Sequence, residues 1–375
     1  MTGESVKAFL ILEDGTVFEG THIGEEREVV SEIVFNTSMA GYLEVLTDPS
    51  YAGQAVCMTY PLIGNYGVCL EDMESCRPWP DALIVRELSR TASNFRKDIT
   101  IQEYLVRNHV PGIAGIDTRA LTKILREKGT MNGCITTNEN YDLSRLMPGV
   151  KDYTARGVVE KTTCKEKYKI ETGRGGDEHN RIFKVALLDL GAKKNIAESL
   201  AKRGCEVTVY PALTTAEEMI ADKPDGIMLS NGPGDPKECT GIIEEIKKLG
   251  SSGIPIFAIC LGHQLMALAN GANTYKMKYG HRGGNHPVKD LDTNRVYISS
   301  QNHGYVVDME SLDDSIAVPS FINVNDGTNE GLKYTGKNIY TVQFHPEACP
   351  GPQDSGFLFD RFIDMMKEGK KDAEE

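Results

Sequence analysis

Apolar and polar positions alternate in two different ways along this chain, and the change falls near its middle. In the first half, residues 8–12 form an apolar run, Asp14-Gly15 makes a turn, and Thr16-Val17-Phe18 follows, so the opening reads as a β-hairpin. A second apolar run, 31–35, stops at Asn36-Thr37-Ser38. Strands and loops continue to about Arg86, punctuated by Pro61, Gly64 and Pro78. Helical spacing of three and four then marks 100–108 and 118–128, with Gly129 at the expected stop. The spacing predicts a separate mixed α/β domain over 1–165. The charged, glycine-bearing stretch 166–182 reads as a linker.

From 183 onward, continuous apolar strands alternate with helices. The strands are expected at 183–189, 206–210, 225–229 and 254–259. Helices follow at 194–203 (stopped by Gly204), after the capping pair Thr215 and Glu218, at 239–249 (closed by Gly250) and at 261–270 (closed by Gly271). Strands that are apolar throughout and separated by helices predict a doubly wound, mostly parallel sheet covered on both faces, over 183–375.

Length and composition narrow the functional classes. A chain of 375 residues calls for two or three domains, and 40% hydrophobic with 25% charged residues is ordinary for a globular protein. The net charge of -13 argues against non-specific nucleic-acid binding. No uninterrupted apolar stretch reaches the roughly 18 residues a membrane helix needs, and the short run at 8–12 is no signal peptide. Nine cysteines without a CxxC pair or zinc spacing point to reduced thiols and a cytoplasmic setting.

In an open α/β sheet, ligands gather beyond the carboxyl ends of the strands. There, Ala258-Ile259-Cys260-Leu261-Gly262-His263-Gln264 turns a buried strand directly into a helix at a cysteine. Small residues at 258 and 262 permit a tight elbow, and a helix N-terminus favours thiolate. A buried structural cysteine is a common alternative, but this motif by itself already favours a nucleophile. His345-Pro346-Glu347 also follows a strand and offers a base with its orienting carboxylate, where a lone His-Pro would mark a surface turn. Ser230-Asn231-Gly232-Pro233-Gly234-Asp235-Pro236 follows another strand. Its Gly232 or Gly234 N–H, with that of Leu261, is placed to serve a developing oxyanion, although an ordinary turn has the same composition.

These three segments, in this order, resemble the class I glutamine amidotransferases. The resemblance implies that Cys260 attacks the glutamine amide, that His345 is acid and base, that Glu347 orients it, and that Gly232 and Leu261 form the oxyanion hole. Ala258 stands where many members have glycine. Further segments extend the likeness over nearly the whole chain: Phe35-Asn36-Thr37-Ser38-Met39-Ala40-Gly41-Tyr42, Thr47-Asp48-Pro49-Ser50-Tyr51, Gly115-Ile116-Asp117-Thr118-Arg119, Gly283-Gly284-Asn285-His286-Pro287 and Gln301-Asn302-His303-Gly304. They are similar to the carbamoyl-phosphate synthase small-subunit family. That family implies glutamine contacts at Ser50, Gly232, Gly234, Leu261, Gln264, Asn302, Gly304 and Tyr305 (phenylalanine in many members), with Lys193 as a further candidate. It also implies a heterodimer with a large subunit that carries ATP and Mg and makes carbamoyl phosphate for arginine and pyrimidine synthesis.

No cofactor is expected in this chain. His263, His281, His286 and His303 have Gly, Asn and Arg as sequence neighbours, so no metal site is expected. Gly280 to Gly284 lacks nucleotide-loop grammar, and there is no Walker A pattern. Two other readings remain: a glutaminase serving a different synthase, and a non-catalytic scaffold subunit.

Overall fold

The computed structural model describes residues 6–170 and 183–374. It divides into two compact units, Met1–Arg156 and Gly157–Glu375. The expected break at 165 thus lies inside the second unit as the structure divides it. Tyr168–Lys169, read as part of a linker, pairs antiparallel with Thr208 and Val209. The remainder of that expected linker lies outside the described residues.

In the first unit, the opening hairpin is the seed of a closed barrel. Strand Lys7–Leu12 pairs with Val17–Gly24 on one side and with Met131–Thr136 on the other. From Val17–Gly24 the order runs through Pro111–Ala114, Ala82–Ile84, Gln54–Met58 and Val29–Asn36 to Met131–Thr136, so no edge remains open. Helix Ile101–Arg107 begins with a capping box, in which Glu103 N–H donates to Thr100 Oγ1 (3.2 Å) and Thr100 N–H to Glu103 Oε2 (2.7 Å). Its Ile101, Tyr104 and Leu105 join Val34, Val56 and Leu83 in one buried cluster.

The second unit contains a ten-stranded sheet. Strands Cys205–Pro211, Phe183–Asp189, Gly226–Leu229, Ile256–Ile259 and Ile339–Val342 lie side by side and parallel. Alternation along them feeds two cores. Val185, Leu187, Met228, Phe257 and Ile259 face helices Lys194–Ala201 and Phe357–Glu374. Ala186, Leu188, Ile227, Leu229 and Ala258 face helices Ala216–Ala221, Thr240–Leu249 and Leu261–Ala269. This is the doubly wound arrangement, with both faces buried at a period of two. Beyond Ile339–Val342 the sheet turns antiparallel through Asn329–Tyr334, Ala317–Asn323, Asn273–Asp290 and Val296–Asp308. No described helix is long and apolar enough to cross a membrane.

Candidate active site

Strand Ile256–Ile259 ends at Cys260, which is the N-cap of helix Leu261–Ala269 with φ 53 and ψ -105. A non-glycine residue held there costs about 1–3 kcal/mol and persists only where its surroundings enforce it. Three hydrogen bonds do so: Cys260 N–H to Val342 O (2.8 Å), Gly262 N–H to Ser230 O (3.0 Å) and Gln264 N–H to Cys260 O (3.1 Å). Gly262 is where helix and strand touch, because a Cβ there would lie 2.7 Å from both Leu229 Cβ and Leu229 O. Gly262→Ala is therefore expected to destabilise the fold by about 1–3 kcal/mol, and to displace the elbow. Thermal unfolding and glutamine turnover would measure the two effects; unchanged values in both would refute the packing argument.

The imidazole arrives from the next parallel strand. His345 follows Ile339–Val342 and is fixed through its N–H to Ser300 O (2.9 Å). Its Nδ1 lies 2.6 Å from Glu347 Oε1, with both side chains buried. The same carboxylate oxygen is 2.9 Å from Lys193 Nζ, which also donates to the carbonyls of Ala348 (2.6 Å) and Cys349 (3.0 Å). Ala348 and Cys349 both adopt positive φ, and the chain there offers successive carbonyls to one ammonium. Lys193, a candidate glutamine contact on sequence grounds, is thus engaged with Glu347 in this structure.

The electrostatics follow from burial and these pairs. Burial is the largest single influence on the His345 pKa and lowers it, as does the Lys193 charge, but the Glu347 charge and the hydrogen bonds to Cys260 and Glu347 together raise it to about 10. Burial would raise Glu347, yet Lys193 and His345 pull it down to about 2. The Cys260 thiol itself donates to Asn302 O at 3.7 Å. Cys260, His345 and Glu347, picked out by motif, are thereby gathered at one end of the parallel strands.

The other candidates distribute around this centre. A Cβ on Gly232 would sit 2.2 Å from Leu190 O and 2.8 Å from Leu261 Cδ2, so Gly232 and Leu261 are neighbours and the loop has room only for glycine. Gly234 has φ +91 and approaches Val158 Cγ2. Gln264 Nε2 donates to Tyr305 O (2.8 Å) and to Gln343 Oε1 (3.0 Å). Gly304 lies against Arg282 Nη2. Ser50 belongs to the first unit, in the turn Pro49–Tyr51, where its N–H donates to Asp48 Oδ1 (2.9 Å).

The histidines have no carboxylate near them in sequence, but in space His281, His303 and Glu330 place ligating atoms within 4.8 Å of one another. Glu330 comes from strand Asn329–Tyr334, which no local spacing could join to the histidines. Hydrogen bonds and ion pairs already occupy the cluster. His281 Nε2 is 2.8 Å from Asp326 Oδ2, and His281 Nδ1 is 3.6 Å from Glu330 Oε1. Burial opposes charge on His281, yet these carboxylates push its pKa up to about 9.

Comparison with known proteins agrees with the site. Residues 10–135 match the family "Carbamoyl-phosphate synthase small chain, CPSase domain", and residues 186–365 match "Glutamine amidotransferase class-I". Proteins described as carbamoyl phosphate synthase small chain are similar over almost their whole length. The one from Clostridium perfringens (strain 13 / Type A) is 51% identical, covering 96% of this chain and 99% of the relative. That from Vibrio vulnificus (strain YJ016) is 47% identical, covering 97% and 99%. That from Listeria monocytogenes serovar 1/2a (strain ATCC BAA-679 / EGD-e) is 48% identical, covering 98% and 99%. With a site of this geometry and relatives of this identity across both units, the chain belongs to the carbamoyl-phosphate synthase small-chain family.

Proposed function

We propose that this chain hydrolyses the side-chain amide of glutamine to glutamate and ammonia, with Cys260 as nucleophile, and supplies the ammonia to a large synthetase chain. The observation that carries the reading is the Cys260 elbow beside the His345–Glu347 pair, whose buried Nδ1–Oε1 distance is 2.6 Å. The thiol proton resides on His345 Nε2, whose ring Glu347 helps to hold as an imidazolium, and the sulfur attacks the amide carbon as thiolate. The N–H groups of Gly232 and Leu261 stabilise the tetrahedral oxyanion. The imidazolium then protonates the departing nitrogen, which leaves as ammonia, and a γ-glutamyl thioester remains. In the second half, His345 removes a proton from water as it attacks that thioester, and returns the proton to sulfur as glutamate departs. Glu347 holds the ring and compensates its charge, while Lys193 holds Glu347.

Ser50, Gly234, Gln264, Asn302, Gly304 and Tyr305 make up the remaining glutamine site in this reading. The amidotransferase chemistry lies in the second unit, Gly157–Glu375, and the domain particular to this family is the first, Met1–Arg156. ATP and Mg belong to the large partner, where ammonia meets bicarbonate. A sheltered route suits the chemistry, since ammonia released into neutral water becomes ammonium and loses its nucleophilic lone pair. The pathway products are arginine and pyrimidines, and the working compartment is the cytoplasm.

An electrophilic glutamine analogue tests the nucleophile directly. Burial pushes the Cys57, Cys134, Cys164, Cys205 and Cys239 thiols up to about 12, so these stay unreactive at neutral pH. Peptide mass analysis is expected to find one adduct that excess glutamine suppresses, on Cys260; any label on the exposed Cys76 should be insensitive to glutamine. Labelling elsewhere, with Cys260 unmodified, would reject the assignment.

A further inference from the structure

We propose that Glu330 is a positioning residue for glutamine: from behind the sheet it holds the segment 301–305, which carries three of the candidate glutamine contacts. The proposal deepens the glutaminase reading and rests on it. Glu330 has a fully buried side chain on strand Asn329–Tyr334. Its Oε1 accepts from Gln301 Nε2 (2.8 Å) and from Asn323 Nδ2 (2.8 Å), and faces His281 Nδ1 at 3.6 Å. From Gln301 the connection runs on. Gln301 Oε1 is 2.9 Å from His303 Nε2, and His303 Nδ1 is 2.8 Å from Tyr305 O. Burial and the His281 charge hold His303 well below its ordinary pKa, so the neutral ring donates to one of these two oxygens and packs against the other. Tyr305 O also accepts from Gln264 Nε2, so the segment is pinned from the nucleophile's own helix as well.

Strand geometry explains the division of labour. Along Val296–Asp308, Gln301 and His303 fall on one face, and residues 302 and 304 on the other. The first pair is engaged with the buried carboxylate, and Asn302 O receives the Cys260 thiol. Burying a carboxylate is expensive unless its hydrogen bonds and counter-charge are supplied. Here the cationic His281, itself paired with Asp326 at 2.8 Å, supplies the counter-charge, and two side-chain amides bond Oε1, while Oε2 has no hydrogen-bond partner among the described residues. An apolar residue of the same size would fill this volume without those requirements. What it would lack is an acceptor that sets the depth and rotation of Gln301 and His303. The triad has separate anchors in Lys193 and the carbonyls at 348 and 349, so loosening 301–305 should act mainly on glutamine binding.

The test uses the complete enzyme, reconstituted with its large partner, and compares Glu330→Met with Glu330→Gln. Methionine removes the acceptor at similar volume; glutamine retains it without the charge. Misplacing bound groups by an ångström costs up to about 100-fold, so Glu330→Met is expected to raise KM for glutamine at least about tenfold, with kcat changed less than about threefold. Glu330→Gln should return KM to within about threefold of wild type. Ammonia-dependent synthesis should be equal in all three proteins. An unchanged KM in Glu330→Met, a loss in kcat instead of KM, or failure of glutamine to rescue would each overturn the proposal. So would a stoichiometric metal ion in the purified enzyme, which would make Glu330 a ligand. If Glu330→Met does not fold, Gln301→Met breaks the same connection one link nearer the site and must show the same KM effect. The glutaminase reading fails separately, through a wild-type enzyme that neither turns over glutamine nor is trapped at Cys260.

Discussion

Cys260→Ser is expected to lower glutamine hydrolysis on the order of 10⁶-fold, the scale seen when a covalent nucleophile is lost. Ammonia-dependent synthesis by the complex with the large chain should be retained. The contrast in chemistry is large and the contrast in structure small. Serine is close in size to cysteine, and the backbone bonds to Val342 O and from Gln264 N–H do not depend on the side chain. The elbow, with its φ of 53, should therefore persist. The hydroxyl, however, holds its proton far more tightly than a thiol. His345, although its basicity is raised by Glu347, cannot generate comparable nucleophile from it. Glutamate release and ammonium-supported synthesis, measured on one preparation, separate loss of the nucleophile from loss of the fold. Wild-type glutamate release would sink the mechanism. Loss of the ammonia-dependent rate as well would show that the substitution damages the complex rather than the chemistry.

The parts of this site that could be read from the chain are those whose partners are near in sequence or sit at strand ends. His345 and Glu347 are two residues apart, and Cys260 lies where a continuous apolar strand becomes a helix. Lys193 and Glu330 gave no comparable signal, because their partners come from distant strands: Glu347 for the first, Gln301 and His281 for the second. The same distinction holds for the fold. The parallel strands were legible because both their faces are buried, giving unbroken apolar runs such as Phe183–Asp189. Barrel closure in the first unit was not legible. It depends on Lys7–Leu12 pairing with Met131–Thr136 across most of that unit, and on strands as short as Ala82–Ile84. The long antiparallel pair Asn273–Asp290 and Val296–Asp308 was read only as motifs. Its buried positions include His281, Arg282, Gln301 and His303, so its interior is polar and carries no hydrophobic alternation.

Glu347→Gln should be the next most damaging change, and pH gives it a distinctive signature. The amide keeps the shape of the carboxylate but removes the charge that holds His345 at about 10. Burial and the Lys193 charge then act on the ring opposed only by the weaker influence of Cys260, and both push its pKa downward. The base loses its orientation and its tautomer control, for which a fall in kcat on the order of 10⁴-fold is the precedent. In the wild type, His345 binds its proton more tightly folded than unfolded. Its contribution to stability is complete below the unfolded value near 6.5, and is lost as pH rises through about 10. Glu347, held down to about 2, contributes above its ordinary value of 4.5 and loses that contribution as pH falls through about 2. In the variant both contributions vanish, and the sign for His345 reverses. A ring that resists protonation when folded makes stability rise with pH through the range below 6.5. Leaving Lys193 buried without its carboxylate adds a cost of about 3–5 kcal/mol near neutrality. Urea unfolding across pH 4 to 10 (about that span, set by these pKa values) would resolve the reversal. If the variant kept the wild type's alkaline loss of stability, Glu347 could not be the charge that holds His345 protonated, and its place in the triad would have to be given up.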